Sequence, residues 1–318
     1  MYAKRHTNTI MIDTCNIILD TDRGGEIVPY LSDVKTVGDA GGKLQSILGK
    51  TDNYNVKVFP YRVYMFGSLC KYWYGTNYQT MTAKTVKLAA EKLGDALHLD
   101  VTTAKVVRLD VSSIIVVHRE PSAYYRYLGE KTRFKRSVLQ DNTLMYNTGN
   151  RALSFYDKAR EMKAHGAELP PMFQGVDFLR YELRYIRRVA AQLKREVSLQ
   201  TLSETDFYRV LVRNWFREYE TITKINPLNM EECLARVTTP KQIIDMLAAA
   251  YLQSQGADYV ANLISDLKAK GAYKDPKAYT RLKNQLSELR QNVKFDRQRA
   301  AMLDELDGGI KEIVAAYL

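Results

Sequence analysis

Three segments in the middle of the chain alternate between apolar and polar residues, and they limit the fold more than any other feature. Residues 104–118 set Val107, Leu109, Val111, Ile115 and Val117 on one side and Arg108, Asp110 and Ser112 on the other. Residues 151–159 oppose Leu153 and Phe155 to Ser154, Tyr156 and Lys158, and residues 177–186 oppose Leu179, Tyr181 and Leu183 to Arg180, Glu182 and Arg184. A period of two specifies strands with one face on a core. A second face that mixes carboxylates, cations and a tyrosine is unusual for a sheet that only has to be wetted. If the three strands are neighbours, Asp110, Tyr156 and Glu182 share one surface.

The remaining pattern completes an α+β reading. Residues 9–20 predict a strand closed by a turn at DRGG (22–25), and residues 56–73, rich in Val, Tyr and Phe, predict one or two more. Trp73, Tyr72 and Tyr74 read there as strand packing. From Thr82, a capping residue, Val86, Ala89, Ala90, Leu93 and Leu97 recur at helical spacing. Residues 204–222 predict an amphipathic helix with Phe207, Val210, Leu211, Trp215 and Tyr219 on its stripe. The turn-forming NPLN at 226–229 marks a boundary. Helices follow at about 240–254, 257–270, 276–292 and 297–317, with stripes such as Ile243, Met246, Leu247 and Ala250. The expected organisation is an antiparallel sheet with helices on one face over residues 1–225, then a smaller all-helical domain over 226–318.

Charge narrows the partner. Lys+Arg 47 against Asp+Glu 36 give a net charge of +11, and the excess is local. Residues 101–200 hold 18 basic and 10 acidic side chains, whereas residues 226–318 hold 13 and 12. A basic surface confined to one segment points to phosphate backbones. Within it, Arg126, Lys131, Arg133, Lys135 and Arg136 interleave with aromatics in the stretch from SAYYRYLGE to EKTRFKR, a combination suited to single-stranded DNA. A solvated hairpin would use the same residues. The three cysteines, Cys15, Cys70 and Cys233, form no CxxC pair and argue against a disulfide framework or a zinc knuckle. No apolar run is long enough to span a bilayer and no signal-peptide pattern opens the chain, so an intracellular, cytoplasmic location is expected.

The polar faces contain what phosphodiester chemistry requires. A phenol titrates near 10 and attacks phosphorus only if its phenolate is stabilised. Lys158 stands two residues from Tyr156, while Asp110 and Glu182 are hard oxygen ligands of the kind that hold Mg²⁺ or Mn²⁺. Arg108, Arg180 and Arg184 are candidates to grip a DNA backbone. Tyr124, Tyr125, Tyr127 and Tyr146 are rival nucleophiles. Ordinary cross-strand ion pairs and a packing tyrosine are the structural alternative.

Four blocks in order carry a resemblance. They are GSLCKYWYGTNYQTMT (67–82), LDVTTAKVVRLDVSS (99–113), ALSFYDKARE (152–161) and FLRYELR (178–184). Together they resemble the replication initiators of filamentous phages (the gene II/X family) and, more distantly, the replication initiation factors of rolling-circle plasmids. The resemblance implies a palm-like initiator fold and a metal-dependent enzyme that nicks one strand of a replication origin through a phosphotyrosine and later rejoins it. It makes Tyr156 the nucleophile and Asp110 and Glu182 the metal carboxylates, with Arg108, Lys158 and Glu161 in the same site. The expected partners are origin DNA, single-stranded or supercoiled, host helicase and polymerase, and a second copy in a homodimer. The chain lacks the His-hydrophobic-His pair of many rolling-circle nickases, having only His6, His98, His118 and His165. The alternative function is an origin-binding initiator or repressor that recruits host factors without cutting.

Overall fold

The computed structural model describes residues 10–38, 44–79, 81–140, 142–166, 168, 170, 174–225, 237–254, 259–291 and 297–318. The described residues form ten strands: β1 (Met11–Asp20), β2 (Ser32–Gly38), β3 (Leu44–Thr51), β4 (Tyr54–Phe59), β5 (Arg62–Phe66), β6 (Lys105–Val117), β7 (Lys135–Leu139), β8 (Thr143–Asn147), β9 (Arg151–Asp157) and β10 (Asp177–Tyr185). They form one sheet in the order β2-β3-β4-β5-β1-β6-β10-β9-β8-β7, every neighbouring pair antiparallel. The three strands singled out by their polar faces, β6, β10 and β9, are consecutive neighbours at its centre. The class is α+β.

The helices of the sheet-bearing part are α1 (Leu69–Tyr74), α2 (Ala83–Leu97), α3 (Lys158–Ala164), α4 (Val189–Leu193), α5 (Leu199–Leu202) and α6 (Thr205–Glu220). The apolar face of β10 is covered by α6. Phe155 of β9 stacks on Tyr181 of β10 at 4.5 Å, and Tyr181 meets Trp215 of α6 at 4.6 Å. The Tyr181 hydroxyl donates to the Trp215 carbonyl (3.0 Å), and the Trp215 indole N–H donates back to the Tyr181 carbonyl (3.4 Å). Both rings are fully buried, so their polar tips have to find partners there, and each finds the other's backbone. Val210, expected on the buried stripe, is instead partly exposed, while Tyr208 takes a buried place.

Several local expectations change. The turn at 22–25 is the start of a 3-10 helix, Arg23–Tyr30. Residues 69–74 are helix rather than strand: Ser68 caps α1 by accepting from the Lys71 amide (3.1 Å), and Gly75 ends it at φ 76. Tyr72 and Trp73 therefore pack from a helix. Strands β2 and β3 carry no alternation strong enough to be read beforehand; β2 is exposed along its whole length. Lys158 is not on β9. That strand ends at Asp157, whose side chain accepts from the Arg160 amide (3.0 Å) and so starts α3 at Lys158.

The chain divides into two compact units. The first comprises residues 1–125, 130–222 and 306–318, and the second 126–129 and 223–305. The second unit holds α7 (Pro240–Ser254), α8 (Tyr259–Ala269) and α9 (Pro276–Gln291), with a small core of Leu252, Val260, Ile264 and Tyr279. On α7 the buried positions are Met246, Ala249 and Leu252, whereas Ile243 and Leu247 of the expected stripe are exposed. NPLN at 226–229 and Cys233 lie outside the described residues. The last helix, α10 (Arg297–Ala315), crosses the division and returns to the first unit from Leu306 on. There Asp307 accepts from the Tyr219 hydroxyl (2.5 Å), and Tyr317 bonds the backbone at Ile10 (3.0 Å).

The stacked Phe155–Tyr181–Trp215 set makes a definite expectation for stability. Trp215→Ala removes the largest fully buried side chain and leaves the Tyr181 carbonyl without its indole donor. It should cost about 3–5 kcal/mol, read as a lowered denaturant midpoint in the far-UV circular dichroism of the sheet.

Candidate functional site

One face of the central sheet carries an ionic layer, and strand register explains it. In β6–β10 pairing Asp110 lies opposite Arg184, Ser112 opposite Glu182 and Ile114 opposite Arg180. In β10–β9 pairing Glu182 lies opposite Ser154 and Arg180 opposite Tyr156. Directly opposed residues of an antiparallel pair point to the same face. Asp110, Glu182 and Tyr156 therefore share one face, and Asp110 and Glu182 sit diagonally on adjacent strands.

A further carboxylate enters from β1. The pairing of that strand with β6 runs Ile12↔Val111 and then Cys15↔Leu109, so β1 carries an extra residue beside Asp110, a β-bulge at Asp13–Thr14. A second irregularity sets Asn16 opposite Arg108 and Ile17 opposite Val106. Val106, not Val107, is thus the buried core residue, and Val107 is turned towards the polar side.

Arg180 joins these elements. It is 0% exposed and its guanidinium donates to Asp13 Oδ2 (2.6 Å), Ser112 Oγ (2.9 Å) and the Asn77 carbonyl (2.7 Å). Its Nε stands 2.8 Å from Glu182 Oε1. Asp13 also accepts from Ser68 Oγ and from the Asn77 side chain (3.4 Å). Glu182 accepts from the Tyr156 hydroxyl (2.7 Å) and from Arg184 Nε (2.8 Å). Asp110 accepts two bonds from Arg108, at 2.8 and 3.2 Å. Lys158 Nζ is buried against Glu161 Oε2 (2.5 Å), so its nearest partner is that carboxylate and not the Tyr156 phenol.

The electrostatics separate the two carboxylates. Burial alone would raise the Glu182 carboxyl, but Arg180 and Arg184, with the Tyr156 and Arg184 hydrogen bonds, hold it down to about 2. Burial raises Asp110 above its ordinary value; Arg108, with a smaller pull from Arg184, only partly offsets this, and the Glu182 charge adds to the rise. Burial, against the pull of Arg180, also lifts the Tyr156 phenol well above 10; the Glu182 charge adds to the rise. Lys158 is lowered by burial and by Arg180, with Glu161 opposing.

Not every expected DNA contact lies on this surface. Lys131 is buried, with Nζ 3.0 Å from both the Glu218 carboxylate and the Glu218 carbonyl, and Arg180 is sealed among its four partners. A DNA phosphate would have to displace those partners, so neither stands ready as a backbone contact. Arg136 is half-buried and donates to the Tyr125 carbonyl (2.9 Å). Arg126, Arg133 and Lys135 are exposed. The rival tyrosines Tyr124, Tyr125, Tyr127 and Tyr146 are buried, whereas Tyr156 is half-buried with its hydroxyl on the ionic layer. Asp13, Ser68 and Asn77 were missed as site residues. A carboxylate inside the apolar run MIDTC was the available signal for the first.

Among the described residues no three His, Cys, Asp or Glu side chains converge as metal ligands. The donor set that does occur is two hard carboxylates, Asp110 and Glu182, each with a flexible partner at the rim: Arg108 is 36% and Arg184 27% exposed. A pair of carboxylates fits Mg²⁺ in phosphate chemistry, where waters and substrate oxygens fill the remaining positions.

Residues 11–207 match the family model that describes the N-terminal part of the phage gene II replication-associated protein. The chain belongs to this family, the gene II replication initiators of filamentous phages. No curated protein matches it. Among the described residues, no helix is long and apolar enough to cross a membrane.

The contrast between the two carboxylates is measurable. Glu182, depressed in the folded state, contributes stability in full above its ordinary value of 4.5 and loses it as pH falls towards about 2. Asp110, raised when folded, contributes stability only where it is protonated, and loses it as pH rises through the folded value. Thermal melts at neutral pH should show Asp110→Asn as stable as the parent or more so. Glu182→Gln, which strips a buried charge from Arg180, should lose about 3–5 kcal/mol and flatten the acid limb between pH 4.5 and 2.

Proposed function

We propose that the protein nicks one strand of a replication origin by transesterification, with Tyr156 as nucleophile and Asp110 and Glu182 as the carboxylates that hold a divalent cation. Family membership makes the chain a replication initiation protein. The observation that supports cutting is the meeting of a half-buried phenol and two carboxylates on one sheet face, with the Tyr156 hydroxyl 2.7 Å from Glu182.

In this reading the Tyr156 oxygen attacks phosphorus, the bond to the 3′ oxygen breaks, and the protein keeps the 5′ phosphate as a phosphotyrosine. The free 3′-OH then serves a polymerase as primer. Glu182 Oε1, the acceptor that the phenol already faces, relays its proton to the departing 3′ oxygen, so Glu182 remains a carboxylate and the product is a 3′-OH. Mg²⁺ or Mn²⁺, when bound, would supply positive charge for the phenolate and the phosphorane oxygens. Arg184 and Arg108 give up their carboxylates and turn to the phosphate, which their partly exposed positions allow. Rejoining is the same step reversed, with a 3′-OH attacking the phosphotyrosine.

Both carboxylates are already matched by arginines, which favours a second reading as an origin binder with a structural ionic layer. The two readings part in one assay. Single-stranded oligonucleotides tiled across the origin of the encoding element, incubated with the protein and Mn²⁺, should give a denaturant-resistant adduct. Peptide mapping should place it on Tyr156, and Tyr156→Phe should reduce it at least ~1000-fold. An undiminished adduct in Tyr156→Phe removes the nucleophile assignment; no adduct at any position leaves the binder.

A further inference from the structure

Next to the ionic layer lies a cleft of about 980 Å³ whose wall takes part in the proposed reaction only through Arg108. Its walls come from the β4–β5 turn (Phe59, Pro60, Tyr61, Arg62) with Tyr64, from Asn16 and Ile18 of β1, from Val107 and Arg108 of β6, and from Ile186, Arg187 and Arg188 after β10. Arg108 belongs to both places: one side of it lines the cleft and its guanidinium holds Asp110.

We propose that this cleft binds single-stranded DNA, taking the strand that runs on from the scissile phosphate. The proposal deepens the nickase reading, since it concerns the same substrate. Three observations carry it. First, the cleft offers aromatic faces: Tyr61 is 77% exposed at the tip of a hairpin, and Tyr64 is half-buried beside it. An exposed tyrosine at a turn contributes nothing to the core, but a base can stack on it. Second, the cations are available. Arg187 and Arg188 are exposed and have no carboxylate partner among the described residues, unlike Arg62, which pairs with Asp20 at 2.8 Å. Arg188, at φ 53, lies three residues past the end of β10 and immediately before α4, and both arginines line the cleft. Third, Arg108 makes the cleft continuous with the carboxylates, so a strand lying in it reaches the proposed chemistry without leaving the protein. The occupant is single-stranded because a duplex keeps its bases stacked on each other and presents no base face to Tyr61 and Tyr64.

The test uses the whole chain carrying Tyr156→Phe, so that binding is read without cutting, and a fluorescein-labelled oligo-dT as probe. Tyr61→Ala should weaken oligo-dT binding about tenfold. Arg187→Gln with Arg188→Asn should weaken it further and make the slope of log K against log salt shallower by about 1.4, roughly 0.7 per lost phosphate contact on a single strand. Asn suits the left-handed backbone at position 188, and unchanged circular dichroism verifies folding of each variant. A hairpin duplex of matched length should bind Tyr61→Ala and its parent alike. Unchanged oligo-dT binding in both variants overturns the proposal, as does an equal loss with the duplex. The nickase reading is tested apart from this, by adduct formation with Tyr156 intact. If the adduct is absent while Tyr61→Ala still weakens oligo-dT binding, cutting fails and the cleft stands. A normal adduct with no effect of the cleft variants does the reverse.

Discussion

A single buried guanidinium sets the arrangement of this sheet. Arg180 reaches β1 through Asp13, β6 through Ser112 and the segment after α1 through Asn77, and it lies against Glu182 on its own strand. A cation with no exposed surface is tolerable only because these groups surround it. Two carboxylates balance its charge, and three separate stretches of chain must be in place before it can be buried. The same requirement fixes the bulge in β1, which is what brings Asp13 beside Asp110.

That constraint divides the ionic layer into an inner and an outer part. Inside, Asp13, Arg180 and Glu182 form a fixed lattice that is hard to open. Outside, Arg108 and Arg184 reach in from the rim, and Asp110 sits under burial that the two arginines do not fully compensate. Groups held away from their preferred charge state are the ones that gain most from a ligand. The phenol of Tyr156 stands between the two parts, bonded inward to Glu182.

The central strands were legible because their alternation is nearly unbroken and the neighbours they imply are real: β6, β10 and β9 pair in sequence. Helices with a cap and a clean stripe, such as α2 after Thr82, were equally plain. What failed had specific causes. Lys158 continues the two-residue rhythm of β9, but Asp157 is a better helix cap than a strand residue, and local capping prevailed over periodicity. Residues 69–74 are aromatic enough to pass for a strand, yet Ser68 and Gly75 bracket a short helix there. Lys131 reads as one more cation in a basic run, because its partner Glu218 is 87 residues away and no local pattern announces it. Asp13 was hidden for a similar reason: a bulge, invisible to a strict period of two, decides which way it faces. The match over residues 11–207 agrees with the ordered blocks that suggested the family.

The route of the chain through its two units has a consequence for how the protein is made. The sheet-bearing unit includes residues 306–318, and Tyr317 touches the backbone of Ile10, while residues 223–305 belong to the other unit. A ribosome therefore delivers the whole helical unit before the last piece of the sheet unit emerges. Domains tend to fold as they are synthesised, but here the first to begin is the last to close. During translation the Ile10 amide waits for the Tyr317 hydroxyl, and the contacts that bury Leu306 and Ile310 form last, so the sheet-bearing half reaches its finished form only after its companion exists.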